Sequence, residues 1–400
     1  MKILFLGSIV KMEDCSKYLG PSVAGNKMQI GIIKGLKKLH GDITVVTETP
    51  IATFPKERKM VIKHRKIDIG DGIEAIVVPF LNIIIIKQLT MIFSAFLQIL
   101  MWSIKYRKEK KVVVTFNAFP YTSVPIILVS KLLKIKKICI FADPPINVIK
   151  KNRIRSIAKY FEKKATEKNI KRYDGIVTLN EKSIEKYASD IKYVLVDGGF
   201  DINDKPNSQF LSKWAKYSEG DLIEIVFSGG LYEYNGLVNL IKAFKKIKNE
   251  SLRLSLYGEG PLKEAILLES RNDHRIIYHG NIDNKEMMLI QQKAGILINP
   301  RPIDEPVSLY TFPSKMIEYM LSGTPVITTK LNGLTPEYLK HVFVIENNSI
   351  EEIVNGIERV IKMDKQQLLA VASDAREFIV ENKTWDLQSR KIYNFIRETM

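Results

Sequence analysis

A lysine and a glutamate in the second half of the chain have the spacing that a nucleotide-sugar site would need. They lie in the stretch 308–327, SLYTFPSKMIEYMLSGTPVI, where Pro313 and Ser314 predict a helix start with Ser314 as N-cap. Lys315 then falls in the first turn, where a cation opposes the helix dipole unless an anion lies there. Glu318 follows three residues later. A lysine can bind a phosphate and a glutamate can bind sugar hydroxyls, so the pair suits a nucleotide-sugar. The alternative to such a site is that Lys315 and Glu318 form an exposed ion pair, which would contribute under about 0.5 kcal/mol to stability.

Two polar residues in the first half follow predicted strands. Asn117 follows the strand 112–115, and Asp143 follows the strand 138–141. Open α/β sheets bind ligands at the carboxyl ends of their strands, so both residues are candidates for a catalytic role. The alternative for Asp143 is a turn aspartate before two prolines.

The composition fits two α/β domains. The chain has 400 residues and is 46% hydrophobic, which is enough for two cores. Predicted strands alternate with predicted helices throughout. A polar stretch at 200–220 predicts a linker between an N-terminal domain at 1–199 and a C-terminal domain at 221–380. A last helix at 381–400 completes this organisation.

The cysteines and the N-terminus favour a cytoplasmic protein. Cys15 and Cys139 lie far apart with no metal-ligand spacing, which is typical of a reducing compartment. The first ten residues, MKILFLGSIV, predict a buried strand rather than a signal peptide.

The positive charge is concentrated in one region of the first half. The formal net charge is +17, and residues 87–172 hold 20 lysines and arginines against four acidic residues, a net charge of +16. Such a region predicts an anionic partner: a membrane, a nucleic acid or an acidic polymer. The apolar run at 80–102 predicts either a buried core helix or a helix in a membrane interface. The stretch 149–172 predicts a basic amphipathic helix, which fits a lipid surface or a solvated face over a core.

Nucleic-acid binding is the weaker interpretation of this charge. The basic region has no RRM, zinc-finger or aromatic-platform signature. We therefore favour the membrane and expect no nucleic-acid partner.

Four ordered motifs in the second half resemble those of the retaining glycosyltransferases of family 4. They are FSGGLYEYNGLVNLIKAF at 227–244, LYGEGP at 256–261, HGNIDNKEMM at 279–288 and the stretch 308–327. The form FPSKMIEYM is similar to a bacterial branch that builds capsular, O-antigen and related surface polysaccharides. The resemblance covers most of the chain and is strongest over 225–340.

The resemblance implies an α/β fold of the GT-B type, with two Rossmann-like domains facing across a cleft. It implies that the C-terminal domain binds a nucleotide-diphospho-sugar and the N-terminal domain binds the acceptor. The final helix of such proteins usually returns to the first domain. Transfer would retain the anomeric configuration and need no metal or other cofactor, so charge on the protein must stabilise the departing diphosphate.

The resemblance also assigns roles to single residues. Glu318 matches the second glutamate of the family's E-x7-E motif and is assigned to the ribose, whereas the first glutamate is replaced by Tyr310. The family's basic pair on the diphosphate is replaced by Gly230 and Asn235, so the cations must come from elsewhere. Arg301 and Lys315 are the best-placed residues. The complete predicted donor site is Gly229, Gly230, Asn235, Gly258, Asn281, Arg301, Phe312, Ser314, Lys315 and Glu318.

We therefore expect a glycosyltransferase that modifies a lipid-linked glycan at the inner face of the cell membrane. A nucleotide-sugar epimerase or a glycan phosphorylase of the same architecture is the alternative. Neither of these needs a membrane, and the basic region argues against them.

Overall fold

A computed structural model describes residues 1–15, 17–146, 153–204 and 221–400, with the backbone alone for 153–158 and 204. The chain forms two compact units. The first contains residues 1–199 and 385–400, and the second contains residues 200–384. Most of the predicted linker, 205–220, lies outside the described residues.

An eight-stranded sheet forms the centre of the first unit. Its order is β10-β9-β8-β7-β1-β2-β5-β4. All neighbours are parallel except β4 and β5. A separate antiparallel pair joins β3 and β6. The strands are β1 Lys2–Gly7, β2 Ile43–Thr47, β3 Val61–Ile62, β4 Arg65–Asp68, β5 Glu74–Val77, β6 Phe80–Leu81, β7 Lys111–Phe116, β8 Lys136–Phe141, β9 Gly175–Thr178 and β10 Tyr193–Leu195.

The central strands are buried on both faces, as continuous apolar runs in a parallel sheet require. After its first residue, each of the strands β1 and β7 is buried throughout. Helices cover both faces of this sheet. They are α1 Val23–His40, α2 Ile86–Lys105, α3 Pro120–Leu133, α4 Arg153–Ile170 and α5 Glu181–Tyr187.

The first helix begins earlier than the sequence predicts. We expected a glycine-bearing loop at 20–27 before a helix at 28–39, but α1 starts at Val23. Ser22 is the N-cap, and its hydroxyl accepts a hydrogen bond from the backbone N–H of Gly25 at 3.1 Å. This cap satisfies an amide in the first turn and stabilises the longer helix.

The last helix of the chain packs on α1 within the first unit. Two glycines of α1 make this close approach possible. A Cβ on Gly31 would lie 2.3 Å from Cδ1 of Trp385, and a Cβ on Gly35 would lie 2.2 Å from Oγ of Ser389.

The second unit has a six-stranded parallel sheet in the order β13-β12-β11-β14-β15-β16. Its strands are β11 Ile223–Ser228, β12 Leu252–Tyr257, β13 Ile276–Gly280, β14 Ile296–Asn299, β15 Val326–Thr329 and β16 Phe343–Ile345. The remaining described helices are α6 Leu237–Lys246, α7 Lys263–Asn272, α8 Asn284–Lys293, α9 Pro306–Tyr310, α10 Lys315–Leu321, α11 Pro336–Leu339, α12 Ile350–Ile361, α13 Lys365–Asn382 and α14 Trp385–Thr399. Each unit is a Rossmann-like α/β domain, which confirms the predicted fold class.

Candidate nucleotide-sugar site

Three glycine loops at the carboxyl ends of β11, β12 and β13 form one continuous surface. The backbone N–H of Gly229 donates to the carbonyl of Tyr257 at 3.0 Å, and that of Gly258 donates to the carbonyl of Gly280 at 2.7 Å. Gly229 and Gly258 have φ angles of +136° and +127°, which favour glycine. A Cβ on Gly258 would lie 2.0 Å from the carbonyl oxygen of Gly229. These loops are therefore built for close backbone approach, and their outer surface can accept a ligand at the edge of the sheet.

Lys315 directs its ammonium group toward this surface. Its Nζ is buried and has no hydrogen-bond partner among the residues that the structure describes. It lies 4.0 Å from the ring centroid of Phe227, and 3.0 Å from where a Cβ on Gly229 would stand. The alternative of an exposed ion pair with Glu318 is therefore wrong, because the ammonium turns inward to the glycine loop.

Arg301 brings a second buried cation close to Lys315. One of its terminal nitrogens, Nη2, donates to Oδ1 of Asn235 at 3.2 Å, while its buried Nε has no hydrogen-bond partner in the described part of the chain. Asn235 in turn donates through Nδ2 to the carbonyl of Gly230 at 2.6 Å. The backbone carbonyl of Arg301 accepts a hydrogen bond from Thr329 at 2.6 Å. Asn235 therefore links the first glycine loop to the guanidinium group.

The electrostatics of this pair call for an anion. Burial, and then the positive charge of Arg301, hold the pKa of Lys315 well below its usual value, and the carboxylate of Glu318 opposes this shift. Burial also lowers the pKa of Arg301. Two cations that are buried together without a counter-ion are unfavourable. A ligand with a doubly charged phosphate group would remove this penalty.

The remaining predicted donor residues differ in their burial. Glu318 is half-buried in the same helix as Lys315, and Tyr310 is half-buried at the end of α9. Phe312 is buried and packs its ring against Tyr338 at 5.4 Å. Asn281 is exposed, directly after β13.

Ser314 occupies the predicted N-cap position before α10, but its side chain does not cap the helix. Ser314 is exposed, has the helical dihedrals φ −51° and ψ −29°, and makes no capping hydrogen bond with its side chain. The backbone N–H of Met316 is bonded to the carbonyl of Pro313 instead. The preceding turn thus supplies a hydrogen-bond acceptor for a backbone N–H of the first helical turn, which the serine side chain would otherwise have supplied.

Sequence reasoning missed the tyrosine that fixes this helix to the sheet. The hydroxyl of Tyr319 accepts a hydrogen bond from the backbone N–H of Ser228 at 2.8 Å, and Gln291 donates to the Ser228 hydroxyl at 3.2 Å. Tyr319 is fully buried. A tyrosine beside Glu318 in an apolar helix gives no sign of this contact, which depends on how the helix packs on β11.

In the first unit the two predicted polar residues do meet. Asn117 has a φ of +62° and is buried. Its Nδ2 donates to Oδ2 of Asp143 at 2.9 Å, and its Oδ1 accepts from the backbone N–H groups of Ala142 and Asp143 at 3.0 and 2.8 Å. Asn117 therefore holds the carboxyl ends of β7 and β8 together and orients Asp143. Desolvation by the surrounding protein raises the pKa of Asp143, and the bond from Asn117 opposes that rise.

A second carboxyl at the same edge of this sheet was not predicted. Glu48 directly follows β2 and is 4% exposed. Burial raises its pKa to about 8, although a hydrogen bond from Ser8 and the charge of Lys87 oppose the shift. Its neighbours in sequence, Thr47 and Thr49, gave no signal for this carboxyl.

Comparisons with known proteins agree with this geometry. Residues 208–385 match the family model for glycosyl transferases group 1. An uncharacterised glycosyltransferase of Methanocaldococcus jannaschii is 24% identical over 363 residues, which cover 87% of this chain and 88% of that protein. The family model and this relative together support a glycosyltransferase.

Solved structures share the fold over the whole chain. Sucrose-phosphate synthase from Thermosynechococcus elongatus matches with a TM-score of 0.70 and 15% identity, covering 100% of this chain and 99% of that one. Anabaena HepE, solved in complex with UDP, matches with a TM-score of 0.64 and 14% identity, covering 100% of both chains. These likenesses support the GT-B fold with its two Rossmann-like domains.

Proposed function

We propose that this protein is a retaining glycosyltransferase that moves a sugar from a nucleotide-diphospho-sugar to a lipid-linked glycan. One observation carries the proposal: the buried, unpartnered ammonium of Lys315 lies beside the guanidinium of Arg301 at a glycine-loop surface. A protein keeps such a pair when a ligand supplies the missing negative charge.

The diphosphate fits this pair in both charge and geometry. As the bond between the sugar and the phosphate breaks, negative charge develops on the leaving diphosphate. Lys315 and Arg301 are held in place before the reaction and stabilise that charge without reorganisation. The positive φ of Gly229 brings a backbone amide region next to the ammonium. In this proposal the two side chains supply the charge, and no metal or other cofactor is required.

The donor and its stereochemistry are assigned by similarity. The resemblance to the family assigns Glu318 to binding of the ribose. Because HepE was solved in complex with UDP, a uridine nucleotide is the first donor to test. Retention of configuration is part of the same proposal. It is supported by the motif order of the second unit.

The acceptor is proposed to be lipid-linked because the first unit presents an apolar face within a basic region. Phe93 of α2, Leu132 of α3 and Phe161 of α4 are 62%, 67% and 65% exposed. The stretch 86–105 is long and apolar enough to cross a membrane, and 28% of it is buried within the structure. Its inner face packs in the core, as the first alternative for this helix predicts, and its outer face is exposed, which supports the proposed membrane contact.

Net positive charge around exposed apolar side chains favours an anionic lipid surface. We propose that this face lies on the inner leaflet of the cell membrane, where the enzyme builds a surface polysaccharide. Flotation with anionic vesicles tests the docking, and binding should fall as salt is raised. Equal binding to neutral vesicles at every salt concentration would contradict the electrostatic part.

The function itself is tested by product analysis. The protein is incubated with UDP-sugars, GDP-sugars and TDP-sugars and with bacterial membrane lipids, and the product is examined by NMR. We expect transfer to a lipid fraction with the anomeric configuration of the donor. Inversion would overturn the retaining mechanism, and conversion of the nucleotide sugar without any acceptor would support an epimerase instead.

A further inference from the structure

Glu48 is a buried carboxyl at the carboxyl edge of the N-terminal sheet for which the donor site has no use. Its backbone N–H donates to the carbonyl of Gly7 at 3.1 Å, which holds it beside the end of β1. The Ser8 hydroxyl donates to Oε1 of Glu48 at 2.9 Å. Gln29 fixes the backbone of Ser8 from both sides, accepting from its N–H at 2.8 Å and donating to its carbonyl at 3.1 Å. The positions of Ser8 and Glu48 are therefore fixed by contacts between the end of β1, the end of β2 and the helix α1.

This carboxyl lacks a counter-charge. Among the described residues, the Ser8 hydroxyl is the side-chain group that donates to Glu48, and no salt bridge to Glu48 is formed. Lys87, the cation that acts on it electrostatically, donates its ammonium to the backbone carbonyl of Ile51 instead. Burial of a carboxyl that is 4% exposed and has no salt bridge among the described residues disfavours its ionised form and is unfavourable for folding. Stability of the first unit therefore does not explain its presence.

Tyr121 adds a second hydrogen-bonding group to the same region. It lies in the first turn of α3, and its ring stacks on Phe119 at 5.5 Å. Burial raises the pKa of Tyr121 well above its usual value, and the charges of Glu48, Glu162 and Asp143 add to the shift. Its hydroxyl makes no hydrogen bond within the described part of the chain. A carboxyl, a serine and a phenol thus lie at one edge of a domain that is otherwise strongly basic.

We propose that Glu48, with Ser8 and Tyr121, forms the subsite that binds the hydroxyl groups of the acceptor sugar. This proposal rests on the proposed function, because it supplies the acceptor side of that reaction. Carboxylates accept strong hydrogen bonds from hydroxyl groups, and a neutral carboxyl can still accept and donate one. An aromatic wall beside a few fixed polar groups is the usual composition of a small-molecule site. Glu48 is a binding residue here and moves no atom of the reaction.

Saturation-transfer NMR with methyl glycosides tests the subsite directly. Methyl glucoside, galactoside, mannoside and N-acetylglucosaminide are each added to the full-length protein with UDP present. We expect ring-proton signals from at least one of them. They should fall at least tenfold in Glu48→Ala and less in Glu48→Gln, which keeps a neutral hydrogen-bonding group.

The matched control is Glu74→Gln. Glu74 begins β5 at the opposite end of the sheet and forms an exposed ion pair with Lys66 at 2.7 Å, so its replacement should leave the signals unchanged. The pH profile separates binding from a structural effect. Ionised Glu48 should bind hydroxyls more tightly, so the signals should rise between pH 7 and pH 9 in the wild type but not in Glu48→Gln. Lys87, Tyr121 and Asp143 face the same region and remain in both proteins.

UDP binding is measured on the same samples. If UDP binds to Glu48→Ala as to wild type while the glycoside signals vanish, the subsite is supported. If Glu48→Ala keeps the glycoside signals, or if wild type gives none while UDP binds, the subsite proposal is overturned. If UDP fails to bind the wild type, GDP and TDP are tested in its place, and failure of all three would instead refute the proposed function.

Discussion

Lys315 shows the conflict between stability and binding at a single side chain. Its ammonium is buried against an aromatic ring and faces Arg301 with no counter-ion. Such a group costs stability in the empty protein and returns that free energy when an anion binds. The same residue should therefore have opposite effects on folding and on function.

We predict that Lys315→Met raises the melting temperature of the empty protein but weakens nucleoside-diphosphate binding. Methionine fills the apolar space over Phe227 without a buried charge. A lost charged hydrogen bond of about 1.5–3 kcal/mol corresponds to at least a tenfold loss of affinity. Thermal unfolding with and without UDP measures both effects.

Lys362→Met is the control for the previous prediction. Lys362 is exposed and pairs with Glu358 at 3.0 Å on the surface of α12. Its replacement should change the melting temperature by no more than about 1 °C, since surface substitutions change the free energy of unfolding by up to about 0.5 kcal/mol. The UDP affinity should also be unchanged. A lower melting temperature in Lys315→Met than in this control would contradict the account.

Nucleoside-diphosphate binding should take up a proton. The lowered pKa of Lys315 in the empty site favours the neutral amine, and a bound diphosphate favours the ammonium. Because the bound form holds more protons, affinity should fall as pH rises from the lowered pKa toward 10.5. Calorimetry at pH 8, where the phosphate is already ionised, measures the uptake as a dependence of enthalpy on the buffer. Lys315→Ala should remove that dependence, and a wild type without it would argue against a neutral lysine.

The sequence predicts some residues of this site and not others for a physical reason. Lys315 was predicted because a cation in a first helical turn violates a local rule, and that violation is visible in the chain itself. Glu48 and Tyr319 break no local rule. Their contacts come from strands and helices that are far apart in sequence, so only the folded chain reveals them.

The glycine loops of the second unit matter as elements rather than as single residues. Gly229 and Gly258 let two loops touch, and Asn235 ties the first of them to Arg301. The positions of the two cations relative to the backbone therefore depend on loop packing. The contact between the two loops is possible because Gly258 has no side chain.

We predict that Gly258→Ala destabilises the second unit and weakens nucleotide binding. The new Cβ would lie 2.0 Å from the Gly229 carbonyl oxygen at a φ of +127°. Strain of this kind costs on the order of 1–3 kcal/mol before any loop movement. Gly280→Ala is the control, since its φ is +75° but the nearest atom lies at 3.9 Å. Denaturant unfolding should show a larger loss for Gly258→Ala, and equal losses would disprove the role of the contact.

The exposed face of α2 carries a prediction at the same scale. Leu89→Ser combined with Phe93→Ser removes two side chains that are each 62% exposed, so folding should be little affected. Flotation with anionic vesicles should fall severalfold, because each buried apolar side chain contributes about 1.5–3 kcal/mol. Leu268→Ser, at a 57% exposed leucine of α7 in the second unit, is the matched control. Unchanged flotation of the double variant would exclude this face.

Most elements were predictable from sequence because their patterns are local. The central parallel strands are continuous apolar runs, and the two predicted at 112–115 and 138–141 lie within β7 and β8 of the structure. The short strands β3, β4 and β6 were missed. The strand β4 contains charged residues and lies at the edge of the eight-stranded sheet, whereas β3 and β6 have two residues each and pair only with one another, so none of them has an apolar pattern of its own.

At the scale of the whole molecule, the chain leaves its first unit and returns to it. Residues 385–400 pack on α1 across Gly31 and Gly35, more than 340 residues away in sequence. Single residues give no sequence signal for such a contact. The prediction that the last helix returns to the first domain came from the family resemblance. Ser389 and Trp385 occupy the space that the two glycines leave open.

We predict that ending the chain after Thr384 destabilises the first unit and spares the second. The truncation exposes the apolar side of α1, including residues packed against Ile392 and Ile396 in the core of the first unit. Differential calorimetry should show one transition at lower temperature and one unchanged. UDP should still stabilise the unchanged transition, and loss of UDP binding on truncation would contradict a donor site within residues 200–384.

The most direct test of the central claim is a calorimetric titration of UDP, GDP and TDP into wild type and Lys315→Ala. The account predicts that the wild type binds at least one of them and that Lys315→Ala binds it at least tenfold more weakly, while affinity for the matching nucleoside is unchanged. At 100 times the dissociation constant the bound nucleotide should also stabilise the wild type by about 2.7 kcal/mol. Equal affinity in the two proteins, or no binding of any nucleoside diphosphate to the wild type, would contradict the assignment of Lys315 and Arg301 as the diphosphate site.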